Sequence, residues 1–230
     1  MAVMVVAAAV QGSVGFGANV LAVPLLLMLD DHLVPGPAIL AGFGLNLLML
    51  WRDRHAISLR PVSSALLGRV AGTAVGVAAV GAISQRGLAV VVALTVLAVV
   101  AVSLVGFSAR RTMPNLLAAG VVSGFSSSTA GIGGPPLAVL YADAGGPEIR
   151  GSMGAFFVVG NVISLTGLAL GGLLGAEEIR LGLALVPAAM VGFAGSRWIV
   201  PVLDRGHARA AILAVSTLAA LGLLVRIAVA

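Results

Sequence analysis

The stretch SGFSSSTAGIGGPPLAVL, residues 123–140, decides the fold. It sets four consecutive hydroxyl residues, four glycines and the pair Pro135-Pro136 inside an otherwise apolar run. Such a break leaves backbone N–H and C=O groups without helical partners. In lipid it is tolerated only where protein or a polar cavity satisfies them. A second break, GSVGFGANVLAVP at 12–24, lies about half a chain earlier, with Gly15-Phe16-Gly17 placed 116 positions before Gly131-Ile132-Gly133. Paired interruptions at matching places in two halves point to the binding site of a transporter.

Composition agrees with a membrane setting. The chain has 230 residues, 60% hydrophobic and 9% charged, with a mean hydropathy of +1.16. A soluble domain is about 45–50% apolar and about 25% charged, so this is an integral membrane chain in contact with lipid. Thirteen arginines against eight acids give a net charge of +5. The arginines sit in short loops or at segment ends, with no basic stripe, which reads as topological anchoring and not as a nucleic-acid footprint. Lysine is absent, which removes a phosphate loop of the Gly-Lys-Ser/Thr type and a Schiff base. Cysteine is absent too, which removes disulfides and thiolate metal sites. His32, His55 and His207 fall in loops and form no metal set. With no HExxH, no GxSxG and no paired intramembrane carboxylates, neither an enzyme nor a cofactor is expected. The opening MAVMVVAAAV lacks a charged flank, so no cleavable signal peptide is expected.

A crossing needs about 20 apolar residues. The pattern gives an all-α polytopic chain of about eight segments: 1–29 (broken at 12–18), 34–51, 61–83, 88–107, 114–143 (broken at 126–136), 149–173, 180–202 and 208–229. Gly44-Leu45-Asn46 in segment 2 matches Val159-Gly160-Asn161 in segment 6, and segments 3 and 7 carry Gly68, Gly72, Gly76 and Gly192, Gly195. The chain therefore reads as two four-segment repeats, 1–108 and 113–230, in one transmembrane domain, the first segment of each being broken. If every segment crosses, the repeats are parallel. If the broken segments are re-entrant, the repeats are inverted and both termini lie outside, and the arginine bias leans that way. Either arrangement puts Arg52, Arg54, Arg110 and Arg111 on the cytoplasmic side.

Proline fits the first turn of a helix, so a half-helix is expected to begin near Pro135. Its free N–H groups and positive dipole end would face the break and favour an anion. Gly131, Gly133 and Gly134 would let the backbone approach the ligand, and Ser127, Ser128 and Thr129 would add donors, beside Ser126. In the first break Gly15, Gly17 and Asn19 take the corresponding part. The competing reading is a kinked helix packed on a neighbour. Asn46 and Asn161, each alone in an apolar segment, need polar partners, and site-forming and packing roles stand level. Arg69 lies eight residues into segment 3, where intramembrane charge is a functional hypothesis, against the alternative that it caps a later-starting helix. Arg197 beside Trp198 reads as an interfacial anchor. Arg150 either faces an anion or anchors segment 6. Gly68, Gly72 and Gly76 read as close helix packing.

On Gly15-Phe16-Gly17 with Leu21-Ala22-Val23-Pro24-Leu25, on Gly124 through Gly131-Ile132-Gly133-Gly134-Pro135-Pro136, and on Arg150-Gly151-Ser152 with Phe156-Phe157 and Asn161, the chain resembles the TauE/SafE family of sulfite-exporter-like permeases, over nearly its whole length. It departs at Gly17-Ala18-Asn19, where a fuller glycine run is usual. The resemblance implies eight membrane segments in two repeats and transport of a small inorganic or organic anion (sulfite, thiosulfate, a sulfonate or similar) across the plasma (inner) membrane of a prokaryote. The expected partners are that anion and the lipid bilayer, with no nucleic acid; homo-oligomerisation is left open. The expected function is a secondary carrier working by alternating access. The rivals are a passive anion channel and a non-transport membrane subunit.

Overall fold

In a computed structural model of the chain, the backbone of residues 1–14, 16–203 and 207–229 and the side chains of residues 1–13, 16–196 and 213–229 are described. The fold is all-helical, with no strand among the described residues. The helices are α1 (Ala2–Val14), α2 (Ala18–Leu29), α3 (Gly36–Asp53), α4 (Leu59–Ala82), α5 (Gln85–Val105), α6 (Met113–Ala130), α7 (Pro135–Ala138), α8 (Gly146–Leu170), α9 (Ala176–Leu203) and α10 (His207–Val229). Among the described residues, Leu59–Ala82, Gln85–Val105, Gly146–Leu170 and Ala176–Ser196 are long and apolar enough to cross a membrane. Ala2–Ser13, Ala18–Leu29 and Leu213–Val229 are shorter apolar helices.

The helices approach through glycine. Gly68, Gly72 and Gly76 of α4 rest on the backbone of Leu117, Val121 and Phe125, and Gly120 and Gly124 of α6 rest on that of Ala65 and Arg69. A side chain at any of these points would collide with backbone, so the expected packing role of the α4 glycines holds. α4 and α6 therefore run parallel. The same logic sets other directions. Gly151 packs on Asp53 and Gly154 on Leu50, so α3 and α8 are antiparallel. Gly36 packs on Leu174, Gly182 on Leu40 and Gly44 on Val186, so α3 and α9 are parallel. Gly192 packs on Val5 and Ala8, and Gly12 on Phe193 and Ser196, so α1 follows α9, whereas Gly195 faces open space.

Both broken segments double back. In the second, α6 runs out, residues 131–134 turn, and α7 with the 3₁₀ turn Val139–Tyr141 returns. The Ala109 N–H donates to the Val139 carbonyl at 3.3 Å, and the Arg111 guanidinium lies 4.5 Å from the Tyr141 ring centroid, so the two ends of this hairpin meet. In the first, α2 begins with Ala18 bonded to Gln11 and ends beside the start of α3, opposite in direction to α1.

Both breaks are narrower than expected from sequence. α6 is helical through Ala130, so Ser126–Thr129 lie on it and not in the break. Ser126 and Thr129 donate back to the carbonyls of Val122 and Phe125, at 2.8 and 2.9 Å, and such back-bonding leaves the ladder intact. The helix stops at Gly131, whose φ of 67° is left-handed. α1 likewise continues to Val14, past the expected start of the break at Gly12. The half-helix starts at Pro135 as expected, but it holds only four α-helical residues before the 3₁₀ turn.

Candidate functional site

The two turns face each other. The Asn19 amide of α2 donates to the Gly131 carbonyl at 2.6 Å, a bond between residues 112 positions apart that ties one break to the other. Gly134 lies against Phe16 and Phe157. Between them is a small cavity of about 30 Å³ lined by Gln11, Gly17, Asn19, Asn46, Ser127, Gly131, Gly133, Gly134 and Asn161, with apolar residues between. Among the described residues, no titratable side chain lines it. Nine of the twelve positions expected from sequence thus bear on this one space: Gly17, Asn19, Asn46, Ser127, Gly131, Gly133, Gly134 and Asn161 line it, and Arg69 stands behind its wall. Ser128 and Thr129 do not line it; Ser128 shares a long 3.4 Å contact with Ser164. Gly15 lies outside the described residues, as do the side chains of Arg197 and Trp198.

Arg69 is fully buried, so it is no cap at a helix start. Its Nη1 donates to Ser123 Oγ at 2.9 Å and its Nη2 to Ser127 Oγ at 2.8 Å, with Ser164 Oγ at 3.4 Å. The guanidinium sits 4.9 Å from the Phe156 ring centroid, and Nε has no partner among the described residues. None of the ion pairs among the described residues includes it. Ser123 accepts from Arg69 and donates onward to the Gly133 carbonyl at 2.5 Å. The charge thus reaches the cavity through Ser127, which lines it, and through the backbone of the turn. Gly133 has its Cα face 3.0 Å from Arg69 Nη1 and 3.1 Å from Ser123 Oγ, measured from where a Cβ would stand. Its missing side chain makes room for the arginine cluster, while its backbone lines the cavity.

Two further donors in the turn stand out. The Gly133 and Gly134 amides donate to no oxygen among the described residues, whereas those of Gly131 and Ile132 close onto Ser127 and Ser126. A neighbouring pair of free N–H groups is available as donors to an anion.

Both asparagines reach the cavity from antiparallel helices. Asn46 accepts from Gln11 Nε2 at 2.6 Å, and Asn161 donates to the Ile39 carbonyl at 3.4 Å. Gln11, 6% exposed, was not singled out from sequence. The signal was there: it is the one amide side chain in the apolar run 1–18.

At one end of the molecule the charges pair off. Arg150 holds Asp53 at 3.0 Å, so it anchors α8 to α3 and does not face the cavity. Arg52 bonds Asp53 and also donates to the Gly12 carbonyl at 2.9 Å. Arg111 and Ser58 share Glu148, both at 2.5 Å.

The model of the family described as Sulfite exporter TauE/SafE matches residues 1–223. The chain belongs to this family. It is a multi-pass membrane protein of an exporter family and not of an enzyme family. The match spans both breaks and the whole arginine–serine cluster, so the site just described lies inside the family's own fold. Comparison with curated proteins found no match, and comparison with solved structures found none either.

Proposed function

We propose that this protein is a secondary carrier for a small sulfur oxyanion, sulfite, thiosulfate or a sulfonate, in the plasma membrane of a prokaryote. The observation that carries this reading is a fully buried arginine without a carboxylate partner among the described residues, placed behind a cavity into which both breaks open. An uncompensated charge in a low-dielectric interior is costly. A bound anion offsets that cost, and a cation would add to it. The free Gly133 and Gly134 amides and the Ser127 hydroxyl supply neutral donors at the same place.

The chain comprises two repeats of four segments, 1–108 and 113–230, and they are inverted. Support comes from the helix directions: α3 and α8, which bear the matched Asn46 and Asn161, are antiparallel. α1 lies along α9 as α6 lies along α4. Both broken segments are re-entrant, with the second entering and leaving beside Arg111 and Tyr141. Repeats of this kind around a midplane site favour alternating access, one half rocking against the other.

Purified protein in liposomes tests this. Uptake of labelled sulfite, thiosulfate or methanesulfonate should saturate and show counterflow when the interior is preloaded with the same anion. Flux without saturation or counterflow makes the protein a channel, and no flux for any anion leaves the breaks with a packing role alone.

A further inference from the structure

A chain of three hydrogen-bonding groups leads from the backbone of α2 to the cavity. The Ala18 N–H, at the first position of α2, donates to Gln11 Oε1 at 3.2 Å. A backbone amide can only donate, so it settles which end of the Gln11 amide faces it. The other end, Nε2, donates to Asn46 Oδ1 at 2.6 Å. That settles the Asn46 amide in turn. Its oxygen is taken, and Nδ2 is turned towards Gly42, another residue of the cavity wall. Gln11 and Asn46 are 6% and 4% exposed, so water does not compete strongly for these bonds.

We infer that Gln11 is a specificity-determining residue: it locks Asn46 with its donor end towards the cavity, so that this wall offers N–H groups to an anion and no oxygen to a cation. A side-chain amide left to itself presents either end at similar cost. Here the choice is made one residue back, by a backbone group that cannot be reversed without breaking the start of α2. Gln11 acts on the anion through Asn46 and is a positioning residue. The inference rests on the carrier reading above and concerns the same site.

The informative substitution is Gln11→Glu. A protonated glutamic acid accepts from Ala18 and donates to Asn46 Oδ1, as glutamine does. The ionised form only accepts, so Asn46 must turn its N–H group to it and show oxygen to the cavity. Burial raises the pKa of such a glutamate, bringing its titration between about pH 5 and about pH 9. Among the described residues, the wild-type cavity wall has no titratable side chain to confuse the readout. Thiosulfate and methanesulfonate, whose charges do not change in that window, serve as probes in proteoliposomes.

The expected result is an apparent KM close to wild type at the acid end and at least about tenfold higher at the basic end, while wild type stays flat. A pH-independent KM in the variant overturns the inference. Gln11→Met is the second arm, for the case where the glutamate variant does not survive purification. It frees Asn46 and should raise KM about tenfold at every pH with kcat held within about threefold; an unchanged KM overturns the inference as well. Absence of saturable flux in wild-type vesicles would instead overturn the carrier reading, so the two failures are distinguishable.

Discussion

The two breaks share a skeleton and differ in chemistry. The first is held by amides: Gln11 bonds Ala18 and Asn46, and Asn19 crosses to Gly131. The second is held by a cation: Arg69 bonds Ser123 and Ser127, and Ser123 bonds Gly133. Under the proposed repeats the matched positions can be named. Gly72 rests on Val121 and Gly192 on Val5. That pairing puts Ala189 in α9 where α4 has Arg69, both 120 positions apart like the two glycines, and Ala7 in α1 where α6 has Ser123, at the 116-position offset of the breaks. Ala189 and Ala7 are fully buried, so the α1–α9 side closes the matching space with methyl groups. Among the described residues, the buried positive charge behind the cavity therefore stands on the Arg69 side. Under the proposed carrier reading this difference gives the repeats a polar direction, with neutral donors on one wall and a backed charge on the other.

Removing that charge should have the largest effect. Arg69→Gln keeps some hydrogen-bonding capacity but deletes a full charge from a poorly screened interior. Apparent anion affinity should fall at least about tenfold, a change of about 1.4 kcal/mol, read as KM for thiosulfate in proteoliposomes. Arg69→Lys keeps the charge but cannot reach both serines at once, so it should recover part of the affinity. An unchanged KM in both variants with a lowered melting temperature would make Arg69 a packing residue, and the contrast between the breaks would lose its functional meaning.

The glycines sharpen the comparison next. Gly17 has φ of 104°, and nothing lies within 4 Å of where its Cβ would be. Gly133 needs no left-handed backbone, but its Cβ would meet Arg69, Ser123 and Ser127. Gly17→Ala should cost about 1–2 kcal/mol through backbone strain, and Gly17→Asn should recover some of it, because asparagine tolerates the left-handed region. Gly133→Ala should instead displace the arginine cluster and reduce transport, with Gly133→Asn worse. Melting temperature and uptake measured on all four variants separate the causes. Rescue by asparagine at both sites, or at neither, would mean that the two turns obey one rule.

The sequence carried the large features legibly, because lipid makes backbone breaks and lone polar residues expensive. Asn46 and Asn161 stand out from that cost, Gly17, Asn19 and Gly133 from their place in the breaks, and all five line one cavity. The limits of the breaks were not legible. A serine in a run such as 126–129 reads the same whether its hydroxyl turns outward or bonds back to its own helix, and only packing decides; Ser127 meets Arg69 while Ser126 bonds Val122. Arg150 had two readings for a similar reason, since the partner that settles it, Asp53, lies 97 positions away. Gln11 was missed because it sits one turn before the glycines, on helix rather than in the turn.

The smallest expected effect concerns how each hairpin is tied down at the charged end of the molecule. Arg52, braced by Asp53 and Arg150, reaches the Gly12 carbonyl beside the first break. The second hairpin is tied separately, through Arg111 and Glu148. Burial raises the pKa of the Asp53 carboxyl, but hydrogen bonds and charge from Arg150 and then Arg52 lower it by more, so it titrates below the ordinary carboxylate range. A depressed folded pKa contributes stability that is complete above the unfolded value of about 3.9 and is lost as pH falls through the folded value. Between about pH 5 and about pH 8 the brace is therefore constant, and it weakens only below about pH 4. Ion pairs near water contribute about 0–1 kcal/mol, so Asp53→Asn should lower the melting temperature slightly at neutral pH and remove part of the acid-side decline. Because Arg111 and Glu148 are untouched, protection of the Ala109–Val139 backbone bond against hydrogen exchange should persist in this variant while protection around Gly12 and the start of α2 falls. Equal loss at both hairpins would show that the two breaks are anchored as one unit.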